Sequence, residues 1–362
     1  MAMVNYNCFN CGAELTFNPE TQRWDCAYCG ESFSLEDFEK RQAAKPDAPG
    51  NTDEPHQTWA QTEATDDSSG DMVAYHCAHC GAEIVTSRET VATTCVYCQR
   101  PVVLEAQMTG TFRPQYVLPF AKTREDAIAA FREYVKKKPL LPREFTGEQA
   151  MQKITGVYVP FWLFNCGVDT DLTADCRNVT TWSAGDYRYT KTDYYHVTRS
   201  GQIAFRNIPV DASSKIDNAT MDSIEPFPFQ ELVDFAPPYL SGFLAERYDE
   251  DTASAAPRAT SRAGTTAMSE LRATIHGYST TIVTGSNQQF NELNAWYTLL
   301  PVWLLSCEFK GKPYLFAMNG RTGKFTGNLP IDGRRALLYT LLTFLVCAGA
   351  AALVLLLLWL IG

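Results

Sequence analysis

Cys8-Phe-Asn-Cys11-Gly-Ala-Glu-Leu15 and Cys26-Ala-Tyr-Cys29 recur further along as Cys77-Ala-His-Cys80-Gly-Ala-Glu-Ile84 and Cys95-Val-Tyr-Cys98. In each copy about 14 residues separate the two pairs, just short of the roughly 15–20 of a common four-cysteine zinc pattern. Two close thiolate pairs suit a tetrahedral zinc ion. Gly12 and Gly81 follow the second Cys of a knuckle, where a small residue allows a tight turn. The copies agree outside their cysteines too, so the frame reads as an internal duplication. The expected ligands are Cys8, Cys11, Cys26 and Cys29 for one Zn2+ and Cys77, Cys80, Cys95 and Cys98 for a second. Disulfides, or a degenerate second copy, are the competing readings. With Cys at all four positions no place is left for water, so both sites read as structural. His76 and His79 flank the second knuckle and read as surface residues beside a complete site.

The pattern is similar to the transcription-factor-IIB-type zinc ribbon, a module often found on nucleic acid. Charge argues against that role here. Residues 1–40 carry Arg23 and Lys40 against Glu14, Glu20, Asp25, Glu31, Glu36, Asp37 and Glu39. The second ribbon sets Arg88 and Arg100 against Glu83, Glu89 and Glu105, and the whole chain has a formal net charge of −10. Phosphate recognition draws on clustered Lys and Arg. Protein contact through the ribbons is the favoured reading, and a membrane-linked nucleic-acid factor is the alternative.

From Ala336 to Gly362 no residue is charged. About 20 apolar residues span a bilayer core as a helix, so the run is long enough. Arg334 and Arg335 precede it and no basic residue follows, which by the positive-inside rule places the N-terminal part in the cytosol. No signal peptide is read ahead of the first ribbon, and thiolate zinc sites suit a reducing compartment. The expectation is a single-pass, tail-anchored protein. Ala348 and Ala352 form a small-xxx-small pair compatible with helix association and a homo-oligomer.

Residues 41–72 are rich in Pro, Asp, Glu, Thr, Ser and Gln, with Trp59 as the lone large apolar group. They read as a flexible acidic linker. Residues 109–333 hold most of the aromatics and read as an α+β domain. Thr123-Arg-Glu-Asp126 predicts a helix start, with Thr123 as N-cap and Ala127, Ile128, Phe131 and Val135 as the apolar stripe. Lys136-Lys137-Lys138 suits the negative end of its dipole. Strands are expected at Ile154–Phe164, through Arg177–Ile208 with turns at Ala184-Gly185 and Ser200-Gly201, at Leu299–Cys307 and at Pro313–Met318. Gln230 to about Ile275 reads as helical, interrupted at Pro237-Pro238. Pro160-Phe-Trp-Leu-Phe-Asn-Cys166 echoes Pro301-Val-Trp-Leu-Leu-Ser-Cys307, which predicts equivalent central strands of a duplicated sheet.

No enzyme chemistry is expected. Gly320-Arg-Thr-Gly-Lys324 fails as a phosphate loop, because Met318 stands at the first glycine position and Phe325 at the Ser/Thr position. His196 and His276 lie in no recognisable catalytic motif. Asp169, Asp171 and Asp175 read as a solvated turn, lacking the glycine and terminal Glu of a calcium loop. The expected organisation is therefore a zinc ribbon (1–40), the linker (41–72), a second zinc ribbon (73–108), the α+β domain (109–333) and a transmembrane helix (334–362).

That order, with Tyr116-Val-Leu-Pro-Phe120, Gly156-Val-Tyr-Val-Pro-Phe-Trp162, Tyr239-Leu-Ser-Gly-Phe-Leu-Ala-Glu-Arg-Tyr248 and Asn319-Gly-Arg-Thr-Gly-Lys324, resembles the bacterial TFIIB-type zinc ribbon-containing membrane proteins. The resemblance implies a bacterial cell-membrane adaptor. It also implies phage-shock-protein-A-like and flotillin-like partners in envelope stress, and no catalytic residues. Gln99 departs from the first copy, standing where Gly30 stands there.

Overall fold

The two echoing Pro-x-Trp runs become neighbouring strands, and the rest of the fold is built outward from that pair. The computed structural model describes residues 6–42, 56–57, 72–76, 83–87, 89–94, 101–104, 108, 112–136, 138, 140–142, 145, 151, 153–310 and 312–361. The first strands are β1 (Leu15–Asn18), β2 (Arg23–Cys26), β3 (Ser32–Phe33), β4 (His56–Gln57), β5 (Met72–His76), β6 (Glu83–Ser87), β7 (Thr90–Thr94) and β8 (Pro101–Val103). They are followed by β9 (Tyr116–Val117), β10 (Thr155–Ala184), β11 (Tyr187–Asp211), β12 (Val233–Asp234), β13 (Leu244–Glu246), β14 (Thr280–Phe309), β15 (Lys312–Asn319) and β16 (Phe325–Gly327). The helices are α1 (Leu35–Gln42), α2 (Arg124–Lys136), α3 (Asn218–Ser223), α4 (Thr252–Ala273) and α5 (Gly333–Ile361).

β10 and β14 run antiparallel, with Pro160 opposite Leu299 and Pro301 opposite Tyr158. The sheet runs β12-β9-β14-β10-β13-β7-β8, with β11 on β10, β15 and β4 on β14, and β16 on β15. Apolar side chains cover both faces at the base. One face packs Phe120, Tyr158, Trp162 and Trp303 with α2 and the first ribbon. The other buries Val159, Phe161, Leu300 and Val302 under Met221, Ile224 and Phe227. Trp162, Trp303 and Cys166 are buried in the core.

β10 and β14 then run on far past the base. β10 pairs with β11 out to Ala184 opposite Tyr187, and with β14 out to Arg177 opposite Thr280. At about 3.3 Å per residue this makes a three-stranded arm tens of ångströms long. Val168, Thr170, Leu172, Ala174 and Cys176 are buried on one face of β10, at every second position. α4 covers that face with Ala255, Ala259, Ala263, Ala267 and Leu271, whose spacing of four makes one helical stripe. Small side chains along it let helix and sheet approach closely.

Several sequence expectations are corrected. The helix expected from Gln230 is confined to α4. Before it lie single 3-10 turns at Phe229–Glu231 and Pro237–Leu240 and the strands β12 and β13. Pro237 and Pro238 lack amide donors, and Gly242 has φ +92°, so an α-helix cannot run through this stretch. No turn occurs at Ser200-Gly201; Gly201 sits within β11 opposite Thr170, where a Cβ would come within 3.3 Å of Leu271 on the covering helix. The glycine marks a close approach rather than a break. Asp169, Asp171 and Asp175 are likewise on β10, on the face away from α4, and not in a turn. The linker contributes β4, where His56 and Gln57 pair with Ala295 and Asn294 of β14. β7 and β8, within 73–108, join the main sheet through β13. Trp59 lies outside the described residues.

The helix at Thr123 forms as expected. Asp126 accepts from the Thr123 amide at 3.1 Å, and Thr123 Oγ1 accepts from the Asp126 amide at 3.2 Å. α5 is the one helix among the described residues long and apolar enough to cross a membrane, over Gly333–Leu353, with none of that window buried.

Candidate metal centre

The Cys8–Cys29 segment, expected from the sequence to be the first ribbon, holds its cysteines on two matched loops. The Gly12 amide donates to the Cys8 carbonyl at 2.9 Å, and the Gly30 amide donates to the Cys26 carbonyl at 3.0 Å. Gly12 and Gly30 have φ of +73° and +77°, the left-handed turn that closes each knuckle. The strand pair β1–β2, with Leu15 opposite Cys26, brings the loops together.

The Sγ atoms of Cys8, Cys11, Cys26 and Cys29 all lie within 4.8 Å of one another. Cys8 and Cys29 are 3.5 Å apart, as are Cys11 and Cys26. Sulfurs about 2.3 Å from a shared tetrahedral ion lie about 3.8 Å apart, so the cluster fits a four-thiolate metal centre. Cys8 and Cys26 are buried, while Cys11 and Cys29 face solvent. The Cys29 and Tyr28 amides hold the Cys26 thiol down to about 6. The Glu31 amide favours the Cys29 thiolate, but burial and the three neighbouring thiols outweigh it and push Cys29 up to about 12. Four thiols this close cannot all ionise without a cation among them, and a bound cation removes that conflict.

The ribbon is fixed to the domain behind it. Trp24 Nε1 donates to the Pro238 carbonyl at 2.8 Å, and the Phe17 amide to the Ser241 carbonyl at 3.2 Å. Ser241 Oγ donates to the Leu15 carbonyl, and Gln22 reaches the Phe120 carbonyl at 2.7 Å. Phe17 and Trp24 pack on Tyr239, with ring centroids 5.4 and 5.2 Å apart. A Cβ on Gly242 would meet Thr16 Cγ2 at 2.5 Å. The receptor for the ribbon is thus the Tyr239–Tyr248 phrase that carried the family resemblance. Reading it as helix hid this role, although Pro237 and Pro238 just before it and Gly242 within it point to an irregular, close-packed segment. Tyr28, between Cys26 and Cys29, is 83% exposed.

Cys77, Cys80, Cys95 and Cys98 lie outside the described residues, as does His79; His76 ends β5. The Asn319–Lys324 stretch is a turn between β15 and β16. Asn319 Oδ1 accepts from the Arg321 and Thr322 amides at 2.9 Å each, which leaves no phosphate cradle. His196 pairs with Asp175 at 2.8 Å on the open face of the arm.

A sheet-rich body, a four-cysteine centre that can hold a metal ion and one exposed apolar helix define the class of protein. The chain belongs to the same family as the Bacillus subtilis (strain 168) protein named "Uncharacterized protein YdjG". The two are 33% identical over 330 residues, which span 91% of each chain. No family model matches the chain. No solved structure matches it.

Proposed function

We propose that the chain is a tail-anchored membrane adaptor whose zinc ribbons present a protein-binding surface on the cytosolic side of a bacterial cell membrane. The observation that carries this reading is the orientation of the first ribbon. One face is sealed to the domain by Phe17 and Trp24, while Tyr28 and the Cys11 and Cys29 edge point outward. Tyrosine is enriched among the residues that carry most of the energy of protein interfaces. The ion in this reading is Zn2+, in two structural sites, since four thiolates with no open position favour it. The body is tied directly to α5. The Asp332 amide donates to the Leu140 carbonyl at 2.9 Å, and Arg335 donates to the Leu141 carbonyl, so no slack tether separates the domain from the helix. Arg334 and Arg335 at the start of α5 support a cytosolic body. The opposed Pro160–Leu299 and Tyr158–Pro301 pairs support an origin of β10 and β14 by duplication.

Partners of phage-shock-protein-A-like or flotillin-like character follow from the family resemblance. The test is the membrane association of such a partner. Replacing Cys8 and Cys11 with Ala, or Tyr28 with Ala, is expected to release it while this chain stays in the membrane fraction. Unchanged partner localisation in both variants rejects the adaptor reading.

A further inference from the structure

Three separate stretches of chain meet where α5 leaves the body. The Asp332 amide donates to the Leu140 carbonyl at 2.9 Å, and Arg335 donates to the Leu141 carbonyl. The Leu141 amide donates to the Lys138 carbonyl at 3.1 Å, and the Lys138 amide to the Val135 carbonyl at 3.0 Å. The C-terminal end of α2 is thereby held beside the first turn of α5. Tyr134 Oη donates to the Gly327 carbonyl at 2.9 Å, which ties the same end of α2 to β16, the strand that leads into α5. Phe145 carries the contact on to the β14–β15 turn, with ring centroids 6.0 Å from Phe309 and 5.8 Å from Tyr314. Lys136, Lys138, Lys310, Lys312 and Arg334 are all exposed on these stretches. Lys138 and Lys310 lie over the Tyr134 and Phe309 rings at 5.5 and 5.1 Å, contacts that bring no negative charge. Among the described residues, the ion pair that this group makes with a carboxylate is Arg335–Asp332, at 3.9 Å.

The charge at this place is opposite in sign to that of the molecule. Over 132–145, 308–312 and 332–335 the sequence has nine Lys and Arg against Glu133, Glu144, Glu308 and Asp332, in a chain whose net charge is −10. The helix dipole accounts for cations at the end of α2, but it disfavours Arg334 and Arg335, which stand at the positive end of α5. Cations gathered against the dipole call for an anion, and the apolar groups beside them say which kind. Ile331, just before α5, is 67% exposed, and Leu337 and Leu338 within it are 62% and 57% exposed. A basic surface at the foot of an apolar helix complements an anionic leaflet, where each Lys or Arg favours association about fivefold. We infer that the end of α2, the β14–β15 turn and the first turn of α5 form one surface that binds the headgroups of anionic phospholipids and seats the body on the bilayer. The inference rests on the reading of α5 as a membrane anchor.

The test uses the full chain in nanodiscs of phosphatidylcholine alone or mixed with phosphatidylglycerol, which leave both leaflets open. Exposed amines are acetylated briefly and the sites are read by mass spectrometry. Lys136, Lys138, Lys310 and Lys312 should react several-fold more slowly in the phosphatidylglycerol discs, with Lys40 on α1, its side chain 74% exposed, unchanged as the reference. High salt should remove the difference, because charges facing water are screened. In the Lys136→Glu, Lys138→Glu double variant the protection of Lys310 and Lys312 should fall. Equal reactivity in the two lipids overturns the inference, and so does protection shared by Lys40 or left unchanged in the double variant. The same protection by free glycerol phosphate in phosphatidylcholine discs also overturns it, since that would mean a site for a soluble anion. Alkaline extraction of vesicles reports α5 separately. A chain that washes off rejects the anchor, whereas a chain that stays and reacts equally in both lipids rejects only the headgroup contact.

Discussion

Single residues set where the helices begin, and their legibility depended on how local the chemistry is. The Thr123–Asp126 capping box lies within four consecutive residues and could be read directly. Asp251 does the same work for α4, accepting from the Ser254 amide at 2.8 Å, but it was hidden inside a longer expected helix. The Ser254 amide and hydroxyl hold the Asp251 carboxyl below its ordinary 3.8, against a smaller opposing effect of burial. A carboxyl depressed on folding stabilises fully above its unfolded value and loses that contribution as pH falls through the folded one. Asp251→Ala is therefore expected to cost about 1 kcal/mol near neutrality. It should also reduce the loss of stability as pH falls below 3.8. Urea midpoints across that range check both, and a variant as acid-sensitive as the parent would show that Asp251 is not the group responsible. Gly242 was legible only as an odd glycine. Its φ of +92° and the 2.5 Å approach to Thr16 give it a structural role. Gly242→Ala should loosen the ribbon at a cost of roughly 1–3 kcal/mol, read as earlier protease cleavage within residues 6–42.

At the scale of elements, helix α4 was recognised but its task was not, because its partners are distant in sequence. Arg258 pairs with the Asp211 carboxylate, and its Nη1 lies 3.6 Å from Glu250. One turn on, Arg262 pairs with Glu225 and donates to the Pro209 carbonyl at 2.6 Å. Burial pushes the Asp211 and Glu225 carboxyls up, and the two guanidinium groups oppose that push. Asp211 is 1% exposed, so removing its partner leaves an uncompensated buried charge. Arg258→Ala should cost about 2–3 kcal/mol, less than a fully buried pair because Arg258 itself is 27% exposed. With the arginine gone the Asp211 carboxyl rises further, so the deficit should grow as pH rises above the ordinary carboxylate range, from the parent's raised value to the variant's higher one, and be smaller at more acidic pH. Denaturant midpoints at acidic and neutral pH decide the matter; a pH-independent deficit would mean that lost packing, not charge, is the cause. The strands show the same limit on reading. The apolar first third of β10 announced itself, whereas the arm beyond Cys166 buries only one face, and its Thr, Asp and Gln positions imitate turns.

For the whole molecule, the cysteine spacing revealed a metal-sized cluster, but not that the ribbon is bolted to the body. That contact joins residues more than two hundred positions apart, such as Trp24 and Pro238, and no local pattern encodes it. A metal ion held by the four cysteines would therefore be part of the tertiary structure. Without an ion the four close thiols favour partial protonation and separation, and the ribbon's short strands have little else to hold them. Trp24 is 1% exposed and Phe17 2%, both sealed by the docked loop. A strong chelator should therefore do more than unfold residues 6–42. It should strip the Tyr239 and Phe243 surface, shift the Trp24 emission to the red and expose the receptor loop to protease. The sheet centred on β10 and β14 should persist, because its core at Val159, Phe161, Leu300 and Val302 lies on the opposite face. Zn2+ should restore the buried Trp24 signal, while Mg2+, a cation that prefers oxygen ligands, should not. Comparison with Trp24→Phe isolates the emission change. If chelation removes the metal and Trp24 stays buried, the docked interface alone holds the ribbon, and the ion is not what positions the surface carrying Tyr28.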